Sequence, residues 1–306
     1  MFRTFARLFL PNRLDAICRM AERRSAKKIL IAWNRGLGDI ALGLYAIVHR
    51  IREWIPDAQI TFLIRPNLQE GFTLLEGVQT IVAPMWIRGE PYDVEQTLVA
   101  LNRSGKEFDL IIPHPSPTDW VRWQHGSLVP RLVWNKAHDD LYKKFDLPEG
   151  RVYIGAQATA ETNYGLWRNW PPERWQELFH KIGSFSRARV ILFGYGSEPF
   201  FESDQLIDLR GKTTLMELLS IIKNRCRYLI VPDSGILSMA YYLDAAFPLQ
   251  ILSLWADPKH GILKQNVASP NPMLVHRPLI GTHRDLSTVS ADDVFQHLAP
   301  GIIHAK

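Results

Sequence analysis

Four short stretches of this 306-residue chain hold residue types that can do chemistry. The first is Trp33-Asn34-Arg35-Gly36-Leu37-Gly38-Asp39-Ile40. Gly36 and Gly38 let the backbone turn tightly and approach a ligand closely. Asp39 then stands where a helix begins, so it is either an N-cap that accepts a backbone N–H or a carboxylate with a catalytic role. The second is Tyr164-Gly165-Leu166-Trp167-Arg168-Asn169-Trp170-Pro171, in which the planar fork of Arg168 suits a diphosphate. The third is Phe193-Gly194-Tyr195-Gly196-Ser197-Glu198. Here Gly194 and Gly196 permit close approach, and Glu198 can accept hydrogen bonds from ribose hydroxyls. The fourth is Val231-Pro232-Asp233-Ser234-Gly235-Ile236, where a helix starting at Ser234 or Gly235 offers free N–H groups to a phosphate or sugar oxygen. Ordinary capping by Asp233 or Ser234 is the competing reading.

These stretches need elements to hold them. Ile29-Leu30-Ile31-Ala32 reads as a buried strand, and residues 40–51 read as a helix with Ile40, Leu44, Ile47, Val48 and Ile51 on one face. Further strands are expected at 59–65, 78–82 and 108–112, with a helix at 92–103. Leu147-Pro148-Glu149-Gly150 is a linker signal. A second alternating series follows: strands near 152–155, 189–193, 228–231 and 249–254, and helices opening at Pro171, Thr213, Ser234 and residue 290. The helix that opens at Thr213 and Thr214 has a capping-box pattern ending at Glu217. Such alternation with short links implies parallel sheets covered by helices. The expected organisation is a basic arm at 1–26, an N-terminal Rossmann-like domain at 27–148 and a C-terminal one at 149–306. Two such halves would face a cleft, with ligands at the C-terminal ends of the strands. Residues 113–135, rich in Pro and Trp, read as a loop pinned by buried tryptophans or as part of an acceptor site.

Composition narrows the function classes. No apolar run is long enough to span a membrane, the start lacks the apolar core of a secretory signal, and two cysteines make no disulfide framework. A cytoplasmic protein is expected. Residues 1–28 hold eight basic and two acidic residues, whereas the remainder holds 28 against 29. The whole basic excess thus sits in the leading segment, which speaks against a nucleic-acid surface. In that arm Phe2, Phe5 and Phe9 fall at helical spacing beside Arg3 and Arg7. Residues 1–10 suit an anionic membrane surface, and residues 13–24 suit a helix packed on the domain.

Taken together, the motifs resemble those of the heptosyltransferase family, glycosyltransferase family nine, from Lys27 to about residue 260. Gly36-Leu37-Gly38-Asp39 is similar to the family's strand–Gly–Asp–helix position, which implies that Asp39 is the catalytic base. Arg168-Asn169-Trp170-Pro171 resembles a basic-x-Trp-Pro segment facing the diphosphate, with arginine here in place of lysine. Gly194, Gly196 and Glu198 lie in what resembles a nucleoside loop. Gly211-Lys212-Thr213-Thr214-Leu215 is similar to a segment beside the nucleotide, and Asp233-Ser234-Gly235 to the family's Asp-Ser/Thr-Gly. The sequence departs from the pattern at Ser238, where the family usually has histidine, and at Trp255-Ala256-Asp257-Pro258, where it usually has Gly-Pro-Thr.

The resemblance implies a GT-B architecture and an inverting transfer of a sugar from a nucleotide-linked donor, with an ADP-linked heptose expected. The acceptor would be of the lipopolysaccharide type or another glycan, met at the inner face of the cytoplasmic membrane. No Asp-x-Asp motif is present, so no metal ion and no other cofactor is expected. Other readings on the same architecture are a sugar-nucleotide epimerase or hydrolase and a sugar-nucleotide binding protein without activity. A dinucleotide oxidoreductase fits poorly, since Ala41 stands where a third glycine belongs and the second strand ends in Arg65 rather than an acid.

Overall fold

The computed structural model describes residues 12–160 and 166–303. The expectations for residues 1–10, and for Tyr164 and Gly165, lie outside the described residues. The chain forms two compact units that meet in sequence at Leu132 and Val133.

In the first unit, α1 (Arg13–Arg23) is capped by Asn12, whose side chain accepts from the Leu14 N–H. Leu14, Cys18 and Ala21 turn inward, as their spacing requires. Asp15 ties α1 to Arg50 of α2 (Tyr45–Trp54) through an ion pair of 2.7 Å. Four strands follow: β1 (Lys28–Trp33), β2 (Gln59–Ile64), β3 (Val78–Val82) and β4 (Leu110–Ile112). They form one parallel sheet in the order β3-β2-β1-β4. Its strands lie close to the expected ranges. Between β3 and β4, α3 (Val94–Ala100) is shorter than the 92–103 span, since Asp93 caps it and Leu101 ends it. Trp120 of the Pro- and Trp-rich loop is buried, in line with the pinned-loop reading.

The second unit begins before the expected junction at 148. Residues 136–144 form a 3-10 segment that hydrogen-bonds to α5 (Leu215–Asn224). The Tyr142 N–H donates to Ser220 Oγ, and Lys223 and Asn224 both bond Asp139.

Six strands build the second sheet: β5 (Tyr153–Gln157), β6 (Arg189–Phe193), β7 (Leu206–Asp208), β8 (Cys226–Pro232), β9 (Leu249–Trp255) and β10 (Leu274–Ile280). All pairings are parallel, in the order β10-β9-β8-β5-β6-β7. The helices α4 (Pro172–Phe185), α6 (Gly235–Tyr241), α7 (Gly261–Gln265) and α8 (Ala291–Ile302) accompany α5. Trp170, Trp175, Phe179, Leu252 and Val294 belong to one core cluster here. Each such large apolar side chain contributes about 1.5–3 kcal/mol on burial. The edge strands β7 and β10 have no counterpart in the sequence reading. Their faces are only partly buried, and Pro278 sits in β10, where an edge tolerates it.

Both sheets are Rossmann-like. The order reverses between β1 and β4 in the first unit and between β5 and β8 in the second, and parallel sheets bind ligands beyond the strand ends at such reversals.

Candidate functional site

At the first reversal point, the chain leaves β1 through Asn34, which is buried and donates to the carbonyls of Ile87 and Glu90. Arg65, at the end of β2, donates to the Arg35 carbonyl at 2.9 Å. The loop is thereby fixed from two sides. Asp39 follows at the mouth of a π-helical turn, Ile40–Leu44, and its side chain makes no capping hydrogen bond. The capping reading therefore fails at Asp39, and the carboxylate is positioned by other means. A methyl group on Gly36 would sit 2.8 Å from Asp39 Oδ2, so a side chain there would push the carboxylate aside. The π turn presses Gly43 against Pro117 of the segment after β4, where a side chain would collide. Gln124 adds a bond to the Leu42 carbonyl at 2.7 Å. Single π turns inside helices recur at functional sites. Close by, a cavity of about 340 Å³ is lined by Tyr92, Glu95, Pro113 and His114, among others. Burial raises the Tyr92 phenol, with the charge of Arg35 pulling the other way.

The second reversal point is richer. Trp170 is buried and donates to the Val289 carbonyl, while Asn169 accepts from the Ala160 N–H. Those anchors set Arg168, whose Nη1 lies 3.3 Å from Asp233 Oδ2. The guanidinium also stacks over Trp167, at 5.0 Å from the ring centre. Burial pushes the Asp233 carboxyl above its ordinary range, against the pull of Arg168 and His260. Ser234, not Asp233, caps α6: its Oγ accepts from the Leu237 N–H and donates to Gln157 Oε1 at 2.7 Å. That bond joins the ends of β8 and β5 across the reversal. Ser238 is buried within α6 and bonds back to the Ser234 carbonyl.

The structure thus brings Arg168, Asp233 and Ser234 together, with Gly235 opening the helix. Gly194 and Thr213 belong to a second grouping at the ends of β6 and β7. The Gly211 N–H donates to the Gly194 carbonyl at 2.7 Å, and Gly194 has φ +149°. Buried Arg210 braces that loop through Asp208 and the Pro199 carbonyl. Around Gly196 a side chain would meet open space, and Glu198 is exposed. Thr214 caps α5 in a full capping box with Glu217.

Sequence reasoning missed Gln157, His260 and Arg284, and noted Asp257 only as part of the departure at 255–258. The buried Asp257 carboxylate pairs with Arg284 and lies 3.5 Å from His260 Nε2. The Lys259 N–H and then Arg284 hold it below the ordinary carboxylate range. The available signal was a strand, β9, running into Asp257-Pro258-Lys259-His260 and a helix. Among the described residues no three His, Cys, Asp or Glu side chains are grouped as metal ligands. Among them, too, no helix is long and apolar enough to cross a membrane.

No protein-family model matches the chain, and no curated protein does. Solved structures do. A glycosyl transferase family 9 protein from Veillonella parvula superposes with a TM-score of 0.61 at 16% identity, over 90% of this chain and 96% of that one. The E. coli ADP-heptose lps heptosyltransferase II gives 0.63 at 17% identity, over 89% and 98%. The E. coli heptosyltransferase WaaC with ADP gives 0.50 at 12% identity, over 89% and 99%. The chain has the fold of these glycosyltransferases, as its motifs imply.

Proposed function

We propose that the protein is a metal-independent, inverting glycosyltransferase that uses a nucleotide-linked sugar, with an ADP-linked heptose the leading donor. The observation that carries this reading is the pair of reversal points. One holds a carboxylate that does not cap its helix. The other holds Arg168 beside Asp233 and the Ser234–Gln157 bridge. In this reaction an acceptor hydroxyl oxygen attacks the anomeric carbon, the bond from that carbon to the diphosphate oxygen breaks, and Asp39 takes the hydroxyl proton. Arg168 stabilises the charge that grows on the departing diphosphate. Gly194, Gly196 and Glu198 serve the nucleoside, Thr213 and Thr214 lie beside it, and Gly36 and Gly38 shape the acceptor side. The structural relatives whose names mention ADP-heptose, heptosyltransferase activity or bound ADP support the choice of donor.

The acceptor is proposed to be a lipopolysaccharide-type or other glycan on a lipid, met at the inner face of the cytoplasmic membrane. The basic arm before Lys27 supports that placement through its charge. The full chain should then sediment with anionic vesicles at low salt.

A thermal-shift screen against ADP-, UDP- and GDP-linked sugars tests the donor. The bound donor stabilises the folded chain by mass action, and the ADP-linked sugar should raise the midpoint most. Incubation without acceptor separates transfer from hydrolysis or epimerisation: a transferase leaves the donor intact, whereas free sugar or an epimer overturns the reading.

A further inference from the structure

The edge that holds Arg168 also holds an imidazole to which no role has been assigned. His260 follows β9 on the turn that starts α7, and its side chain is 40% exposed. Its ring centre lies 5.8 Å from that of Trp167, the same ring over which Arg168 stacks. His260 therefore shares one small area with Arg168. The turn is pressed onto Asp233: Gly261 has φ +48°, and a methyl there would run into Asp233 Oδ1 and the Trp255 ring. His260 cannot retreat from the ligand edge without unpacking that contact.

Charge counting gives the imidazole its function. The ionisable groups facing it are Arg168 from the 166–168 turn, Asp233 from the end of β8, Asp257 from its own loop and Arg284 from the 282–284 turn. Lys259 and Lys264 flank it along the chain. Within the packed cluster two guanidinium groups face two carboxylates, which cancel. The diphosphate of a nucleotide sugar brings two negative charges that this cancelled set does not meet. A further cation at that edge, beside the flanking Lys259 and Lys264, adds to the attraction for such a ligand. Imidazole is the side chain whose charge ordinarily changes between pH 5 and 8, and the Asp257 carboxylate lies 3.5 Å from this one.

We propose that His260 is a diphosphate-contacting cation, held in place by Asp257 and backed by Arg284, and that donor binding takes up a proton there. The inference rests on the donor reading of this edge. It makes affinity fall as pH rises, through a residue that this chain carries on the loop after β9.

Nucleotide sugars suit the test, because both phosphates are fully ionised across the range and the ligand itself does not titrate. Calorimetric titration of ADP-glucose, UDP-glucose and GDP-mannose into the full chain at pH 5.5 and pH 8.0 gives the slope. The wild type should bind the preferred sugar about tenfold more weakly at the higher pH, with net proton uptake in buffers of different ionisation enthalpy. His260→Gln should bind at both pH values as weakly as the wild type does at pH 8.0. His260→Lys should restore tight binding without the slope, a rescue that a purely structural role would not give. A slope that survives in His260→Gln assigns the proton to another group, such as Asp233, and overturns the proposal. So does a wild type without a slope. If no protein binds any of the three sugars at either pH, the donor reading falls and takes this inference with it.

Discussion

The two reversal points share a topology and differ in what they carry. At the first, glycine space and backbone bonds close around one carboxylate, and the helix after it starts with a π turn that leaves Asp39 without a capping role. At the second, opposite charges are already paired: Arg168 with Asp233, and Arg284 with Asp257. A carboxylate that is not spent on capping its helix suits the proposed proton transfer. Paired guanidinium groups offer an incoming anion a partner, with His260 beside them as a further contact. In the proposed reading the two reversals serve different tasks, and the residues at the strand ends set which.

That contrast can be broken at either end. The largest effect is expected from Asp39→Asn, which should cut transfer about a hundredfold or more while donor affinity stays the same. An unchanged turnover in the purified variant would reduce Asp39 to a structural residue. Next, Arg168→Ala should weaken donor binding by roughly ten- to a hundredfold, as expected for loss of a charge-assisted bond, with Arg168→Lys recovering part of it. Equal affinities in a titration of all three proteins would remove Arg168 from the site. Gly36→Ala pushes a methyl to 2.8 Å from Asp39 Oδ2, so the carboxylate must shift. Turnover should fall about tenfold, since small misplacements of a reacting group are costly, and donor affinity should not change.

Smaller effects concern stability. Ser234→Ala removes a helix cap and the bond to Gln157, and should lower unfolding free energy by about 1–2 kcal/mol in urea titrations. Asp208 tests the bracing of the Gly194 loop. Arg210 holds its carboxyl below the ordinary range. A lowered carboxyl contributes stability above the unfolded value and loses it as pH falls through the folded one. The thermal midpoint of Asp208→Asn should therefore lie below the wild type at pH 7, and the gap should narrow toward pH 3.

Much of this was legible in the sequence because apolar periodicity and glycine-carboxylate spacing are local signals. The strand at 189–193 and the capping box at Thr214 match their expected positions. Arg168 was legible because Trp170 and Pro171 mark an anchored helix start beside it. The rest depends on contacts distant in sequence. Gln157 matters only because β5 ends beside β8, a neighbour 77 residues away at Ser234. Arg284 reaches Asp257 from a turn with positive φ at both His283 and Arg284, for which no glycine or asparagine gives a sign. The π turn escaped because its apolar spacing is also that of an ordinary helix.

The proposed reaction is a single displacement with Asp39 as base and a nucleoside diphosphate as leaving group. Its most direct test is the anomeric configuration of the product, followed by proton NMR as the full chain converts ADP-heptose in the presence of a lipopolysaccharide-core acceptor. One new glycosidic linkage of configuration opposite to the donor's is expected, formed together with one equivalent of ADP. A linkage of retained configuration, or release of free heptose with no linkage at all, would contradict it.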